Sequence, residues 1–195
     1  MDWQEERGRF IAVCRRAFAT GMQLSSGGNL SLRLEGERLL VKPSGKSLWD
    51  VDETELLVTD LAGRVLAGQG KPTKEIASHL AVYKAAPDTG GIVHYHAPAA
   101  TAFAVSGRKL PMLTVHARRK LREVPVVGPA GEGSAELAAS LGDVFGRGLV
   151  AVLMLDHGLL AAGSTLEKAQ EAAELVEESA KVALGAVLLK IGIQA

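Results

Sequence analysis

The chain has 195 residues, with 22 Lys and Arg against 22 Asp and Glu, five His and one Cys, and 47% of it is hydrophobic. Zero net charge removes any global field that would recruit nucleic acid, a membrane surface or acidic substrates, so an anion has to be caught by local geometry. The lone Cys14 excludes a disulfide framework and a cysteine-based zinc cluster, and two Trp, two Tyr and four Phe leave few stacking platforms for single-stranded nucleic acid.

The predicted elements begin with a helix over 3–20, where Phe10, Val13, Cys14 and Ala17 recur at helical spacing and Gly21 stops the run. Short strands follow at Asn29–Leu34, Arg38–Lys42, Leu56–Thr59 and Arg64–Leu66, the last two joined by the turn Asp60–Gly63. Pro72 and Thr73 open a helix that runs through Ala86. Ile92–His96 reads as a strand, Ala99–Val105 as a helix, Val124–Val127 as a strand and Ser134–Phe145 as a helix. Leu149–Leu155 is apolar and β-branched, the pattern of a buried strand, and Leu159–Ala162 adds another. A final helix covers about residues 165–190, with Ser164 as N-cap and Glu167 three residues on. Ala169, Ala173, Val176, Ala180, Ala183 and Val187 stripe one of its faces. Hairpins mixed with irregularly spaced helices predict an α/β fold: a single layered domain over 1–195, with a largely antiparallel central sheet flanked by helices. The charged start MDWQEERGRF lacks the apolar run of a signal peptide, and the longest apolar stretches fall well short of the ~20 residues of a membrane span. With the lone cysteine, this predicts a cytoplasmic protein.

The histidines carry the chemistry. His94 and His96 stand at i and i+2 in a predicted strand, so both imidazoles share a face, about 6–7 Å apart at Cα. That spacing lets two ring nitrogens converge on one Zn²⁺ at about 2.1 Å each, although His-x-His alone is a weak signal. The same spacing suits two polar side chains facing solvent, although the apolar flanks Ile92-Val93 and Ala97-Pro98-Ala99-Ala100 argue against a fully solvated strand. His157 stands at the mouth of a core strand beside Gly158, which admits close backbone approach. It reads either as a ligand or as a half-buried histidine satisfied locally. Three small-residue segments, Ser25–Asn29, Pro43–Gly45 and Lys71–Glu75, expose backbone N–H groups that suit phosphate oxygens as well as ordinary turns.

Gly28-Asn29-Leu30-Ser31, Pro43-Ser44-Gly45, Pro72-Thr73-Lys74-Glu75 with Tyr83 and Pro87-Asp88 downstream, Val93-His94-Tyr95-His96 and Asp156-His157-Gly158 follow one another across essentially the whole chain. In that order they resemble the class II aldolase/adducin family. The resemblance implies His94, His96 and His157 as ligands of a catalytic Zn²⁺ and Glu75 as the catalytic acid/base. It implies Gly28, Asn29, Ser44, Gly45, Thr73 and Lys74 around a substrate phosphate. It further implies a homotetramer with the site near a subunit boundary. The implied activity is cleavage of a phosphorylated ketose, such as L-fuculose 1-phosphate, to dihydroxyacetone phosphate and an aldehyde through a metal-bound enediolate. Three neutral imidazoles leave the metal charge uncompensated, which suits that chemistry. A non-catalytic, adducin-like interaction protein is disfavoured because every ligand and Glu75 are present.

Two departures from the family pattern bear on the substrate. Thr73-Lys74 stands where the phosphate loop often has two serines, and Lys74 suits either the phosphate or an added substrate carboxylate. The second case is decarboxylation of a 3-oxo-tetronate 4-phosphate; relatives that epimerise or dehydrate sugar phosphates share the same ligands. Where aldolases and epimerases of the group use a Tyr or Asp from the neighbouring subunit, this chain offers His116, Arg118, Arg119 and Lys120. His116 and Arg119 are the candidates for that contribution, with a solvated loop as the alternative. His79, one helical turn after Glu75, serves either to support it or to hold structure.

Overall fold

Alternation along the strands decides which side chains meet which helices. In the computed structural model, which describes residues 3–192, the strand β5 (Gly91–Tyr95) turns Val93 and Tyr95 into one core and Ile92 into another. His94, two residues from Ile92, shares its face. The hairpin β1 (Asn29–Leu34) and β2 (Arg38–Val41) continues with β3 (Leu57–Asp60) and β4 (Val65–Ala67), after a 3-10 turn at Glu53–Glu55. With β6 (Val126–Val127), β7 (Ala151–Met154) and β8 (Gly158–Gly163) they form one sheet in the order β4-β3-β2-β1-β5-β8-β7-β6. Every pairing is antiparallel except β6 with β7, which are parallel and are connected through the helix α5 (Ala135–Gly146).

Helices cover both faces. Phe10, Val13, Cys14 and Ala17 of α1 (Gln4–Ala19) join Ala100 and Ala104 of α3 (Pro98–Ser106) and Ala169, Ala173 and Val176 of α6 (Leu166–Gly192) over Leu30, Leu32, Val93 and Tyr95. On the opposite face, Val82 and Tyr83 of α2 (Ile76–Ala85) pack with Leu137, Leu141 and Phe145 of α5 over Leu39, Ile92, Val152 and Leu160. No helix among the described residues is long and apolar enough to cross a membrane.

The sequence expectations need correcting at particular points. The helix expected from Pro72 starts at Ile76, because Pro72 forms a β-bridge with Pro43 and Lys71 O accepts the Ser44 N–H at 2.9 Å. Residues 71–75 therefore lie beside the end of β2. The strands expected at 124–127 and 149–155 shorten to β6 and β7. The N-cap of α6 is Thr165, whose Oγ1 accepts the Lys168 N–H at 3.2 Å, and the Glu167 carboxylate pairs with Arg9 instead of closing a box on Ser164. Val187, expected on the apolar stripe, is 56% exposed. A short helix α4 (Val115–Lys120), where the sequence predicts no element, occupies the basic run, with Thr114 Oγ1 accepting the Ala117 N–H at 3.1 Å and Ala117 buried.

Candidate metal centre and anion cavity

His94, His96 and His157 come together although only His94 lies on a strand. His96 follows the end of β5, and its backbone N–H donates to Gln23 Oε1 at 2.9 Å. His157 sits in the turn between β7 and β8, with Asp156 at φ 56° and the His157 N–H donating to Met154 O at 3.1 Å. The ring centroids are 4.8 Å (His94–His96), 4.6 Å (His94–His157) and 5.3 Å (His96–His157) apart, and one ring nitrogen from each falls within 4.8 Å of the others. Gly158 makes this possible: a Cβ there would stand 2.5 Å from Tyr95 O and 2.9 Å from the His96 ring.

Glu75 lies under the cluster. It is the N-cap residue of α2 and not part of its first turn, and the Thr73 hydroxyl accepts its N–H at 3.3 Å. Its carboxylate oxygens are 3.3 Å from His94 Nε2 and 3.2 Å from His157 Nε2. Burial pushes the carboxyl pKa up, but the hydrogen bond from His157 and the charges of His94 and His157 outweigh it and hold Glu75 well below the usual carboxylate range. Burial lowers His94 to about 3 against the opposing pull of Glu75, and burial also lowers His96. His157 alone of the three is raised, by its hydrogen bond to Glu75.

The donor set fits a divalent metal. His94 Nδ1–H donates to Leu159 O at 2.8 Å, which leaves the Nε2 lone pair facing the cluster. His94 Nε2 and Glu75 Oε2 are buried without a hydrogen bond, and each such orphan costs about 1–3 kcal/mol. A coordinated cation relieves both. Three imidazoles with one position left open is a catalytic zinc arrangement.

The six residues expected around a phosphate, Gly28, Asn29, Ser44, Gly45, Thr73 and Lys74, line one cavity of about 260 Å³ that also reaches Glu75 and His96. Three more residues shape the site without having been expected. Lys42 is buried in the cavity wall with its ammonium held by Lys46 O and by Pro43 O at 3.4 Å, and burial lowers its pKa. Its only signal was its place directly before Pro43-Ser44-Gly45. Glu132, on the loop before α5, brings a carboxylate within 4.8 Å of ligand atoms of Glu75 and His157. Gln23 accepts from His96 and donates to Ser25 Oγ at 3.1 Å. Neither Glu132 nor Gln23 belongs to a motif.

Other expected residues lie elsewhere. His116 and Arg119 are exposed on α4 and line no part of this cavity; His116 borders a separate groove against α6. His79 is buried on α2 and spends both ring nitrogens on β1.

Residues 8–184 match the family model for the Class II Aldolase and Adducin N-terminal domain. The chain belongs to the class II aldolase and adducin family. It is 32% identical over 182 residues to an L-fuculose phosphate aldolase of Methanococcus vannielii, covering 93% of this chain and 95% of the relative. It is 34% identical over 182 residues to a 3-oxo-tetronate 4-phosphate decarboxylase of Haemophilus influenzae, covering 88% and 83%. The crystal structure of L-fuculose-1-phosphate aldolase from Thermus thermophilus superposes with a TM-score of 0.86 at 28% identity, over 95% of this chain and 96% of the other. These class II aldolase folds share the sheet and its flanking helices with the present chain.

Proposed function

We propose that this class II aldolase family member is a zinc-dependent lyase that cleaves a phosphorylated ketose, of the L-fuculose 1-phosphate type, to dihydroxyacetone phosphate and an aldehyde. The observation that carries the reading is the Glu75 carboxylate, buried against His94 and His157 where the anion cavity meets the histidine cluster. Zn²⁺ held by His94, His96 and His157 supplies Lewis acidity at the substrate carbonyl oxygen.

The chain's own residues do the rest. Gly28, Asn29, Ser44, Gly45, Thr73 and Lys74 hold the phosphate and so fix where the carbon chain lies. In the cleavage direction the C3–C4 bond breaks and its electrons pass toward the carbonyl. The C4 hydroxyl loses its proton to solvent as the aldehyde forms, and Glu75, protonated from solvent for this step, delivers a proton to C3. In the synthetic direction the ionised Glu75 removes that proton from dihydroxyacetone phosphate. The C4 side of the site is assigned to a neighbouring copy in a homotetramer, with His116 and Arg119 as its contribution.

The zinc-loaded protein should exchange an α-proton of dihydroxyacetone phosphate with tritiated water when no aldehyde is present. Glu75→Gln should abolish that exchange. A second reading, decarboxylation of 3-oxo-tetronate 4-phosphate, is favoured by Lys74 at the cavity and by the Haemophilus relative. Release of CO₂ from that substrate, without exchange of dihydroxyacetone phosphate, selects it over the aldolase.

A further inference from the structure

His79 is fully buried, lies outside the metal cluster, and has both ring nitrogens within hydrogen-bond distance of β1. Its Nε2 is 2.6 Å from Asn29 Oδ1 and its Nδ1 is 2.7 Å from Ser31 Oγ. The Tyr83 hydroxyl, one turn further along α2, donates to Ser31 O at 3.0 Å and lies 3.0 Å from Ser31 Oγ. An amide oxygen only accepts, so Nε2 carries the proton and donates to Asn29. The neutral ring then accepts at Nδ1 from the Ser31 hydroxyl. Burial lowers the His79 pKa to about 4, which keeps the ring neutral.

This arrangement determines which end of Asn29 the cavity sees. Asn29 is itself buried and lines the cavity, and with Oδ1 taken by His79 its amide NH₂ makes no hydrogen bond among the described residues. Reversing the amide requires the opposite tautomer, with Nδ1–H donating to Ser31 Oγ, and would turn the amide oxygen into the cavity. We propose that His79 is a positioning residue for the anion cavity: by holding Asn29 Oδ1 it turns the Asn29 NH₂ into the cavity as a fixed donor, and so selects a phosphate ester over an uncharged ligand. The proposal rests on the reading of this cavity as the phosphate site.

The ligand-free test is ¹⁵N NMR of the zinc-loaded protein. The His79 ring should appear as the Nε2–H tautomer between pH 6 and pH 8, and a Nδ1–H ring or an imidazolium there overturns the proposal. The binding test measures the Kd of dihydroxyacetone phosphate by calorimetry for the zinc-loaded wild type, His79→Ala, His79→Gln, Asn29→Ala and the Asn29→Ala/His79→Ala double variant. A hydrogen bond to a charged group sets the scale: His79→Ala should weaken binding about tenfold in the wild-type background and leave the Asn29→Ala background unchanged. Glutamine places an N–H near the Nε2 position, so His79→Gln should restore binding to within about threefold, with zinc stoichiometry unchanged throughout. Equal weakening by His79→Ala in both backgrounds, or no rescue by glutamine, overturns the proposal. Failure of proton exchange with intact, His79-dependent binding of the phosphate ester would instead sink the aldolase reading alone.

Discussion

Glu75 and Glu177 are buried to almost the same degree, 3% and 2% exposed, and their carboxylates are satisfied in opposite ways. Glu177, on α6, accepts the backbone N–H groups of Ala99 at 3.2 Å and Ala100 at 2.8 Å, and Lys181 Nζ stands 3.3 Å away. It caps α3, whose own N-cap position is Ala97 and carries no side-chain cap. Glu75 meets two imidazoles and keeps Oε2 without a hydrogen bond. A buried carboxylate ringed by fixed N–H donors has its charge compensated and its lone pairs used, so it holds two helices together. One left open beside imidazoles retains the capacity to take and return a proton. Burial alone does not separate the two; what faces the oxygens does.

That contrast is sharpest in substitution. Glu75→Gln keeps the volume and removes the proton carrier, so dihydroxyacetone phosphate exchange should fall by about a thousandfold or more while zinc content and Tm hold. Glu177→Ala should leave the exchange rate per folded molecule within about twofold. It should cost about 2–3 kcal/mol, since two backbone donors lose their partner, and lower Tm by several degrees in a thermal melt. A loss of exchange in Glu177→Ala at full folding would break the comparison.

A smaller effect comes from pH. The unfolded His79 has a value near 6.5 and the folded one about 4, so the unfolded chain takes up the proton first. The stability gained by keeping the ring neutral is therefore complete above pH 6.5 and is lost progressively as pH falls toward 4. Denaturant melts of the wild type across that window should show this slope, and His79→Gln should flatten it. The smallest effect belongs to a third carboxylate, Glu167, which pairs with Arg9 on the surface, the side chains 39% and 40% exposed. Arg9 holds Glu167 down to about 2, so its contribution is present above pH 4.5 and lost as pH falls through about 2. Solvent screening keeps the pair small: Arg9→Ala should cost under about 1 kcal/mol in a denaturant melt at pH 7.

The strand and helix order was legible because alternation and helical spacing are local. The histidines and Glu75 stood out for a different reason, since each sits in a short motif and the motifs occur in order. What escaped the sequence was contact between distant segments. Val115–Lys120 has no apolar period, and only the Thr114 cap and the burial of Ala117 make it a helix. Pro72 looks like a helix opener until its bridge to Pro43 is seen. Gln23, Lys42 and Glu132 reach the site from three separate loops and strand ends, and no residue spacing encodes that. His79 was visible as a histidine one turn after Glu75, but its partner Asn29 lies on β1, across the sheet face from α2.

Gln23 has a consequence of its own. One of its amide atoms accepts from the peptide N–H of His96 and the other donates to Ser25, so the end of β5 and the loop leading into Gly28 are fastened to a single side chain. Gly28 lines the cavity and the His96 ring belongs to the histidine cluster, so displacing this one side chain would disturb both at once.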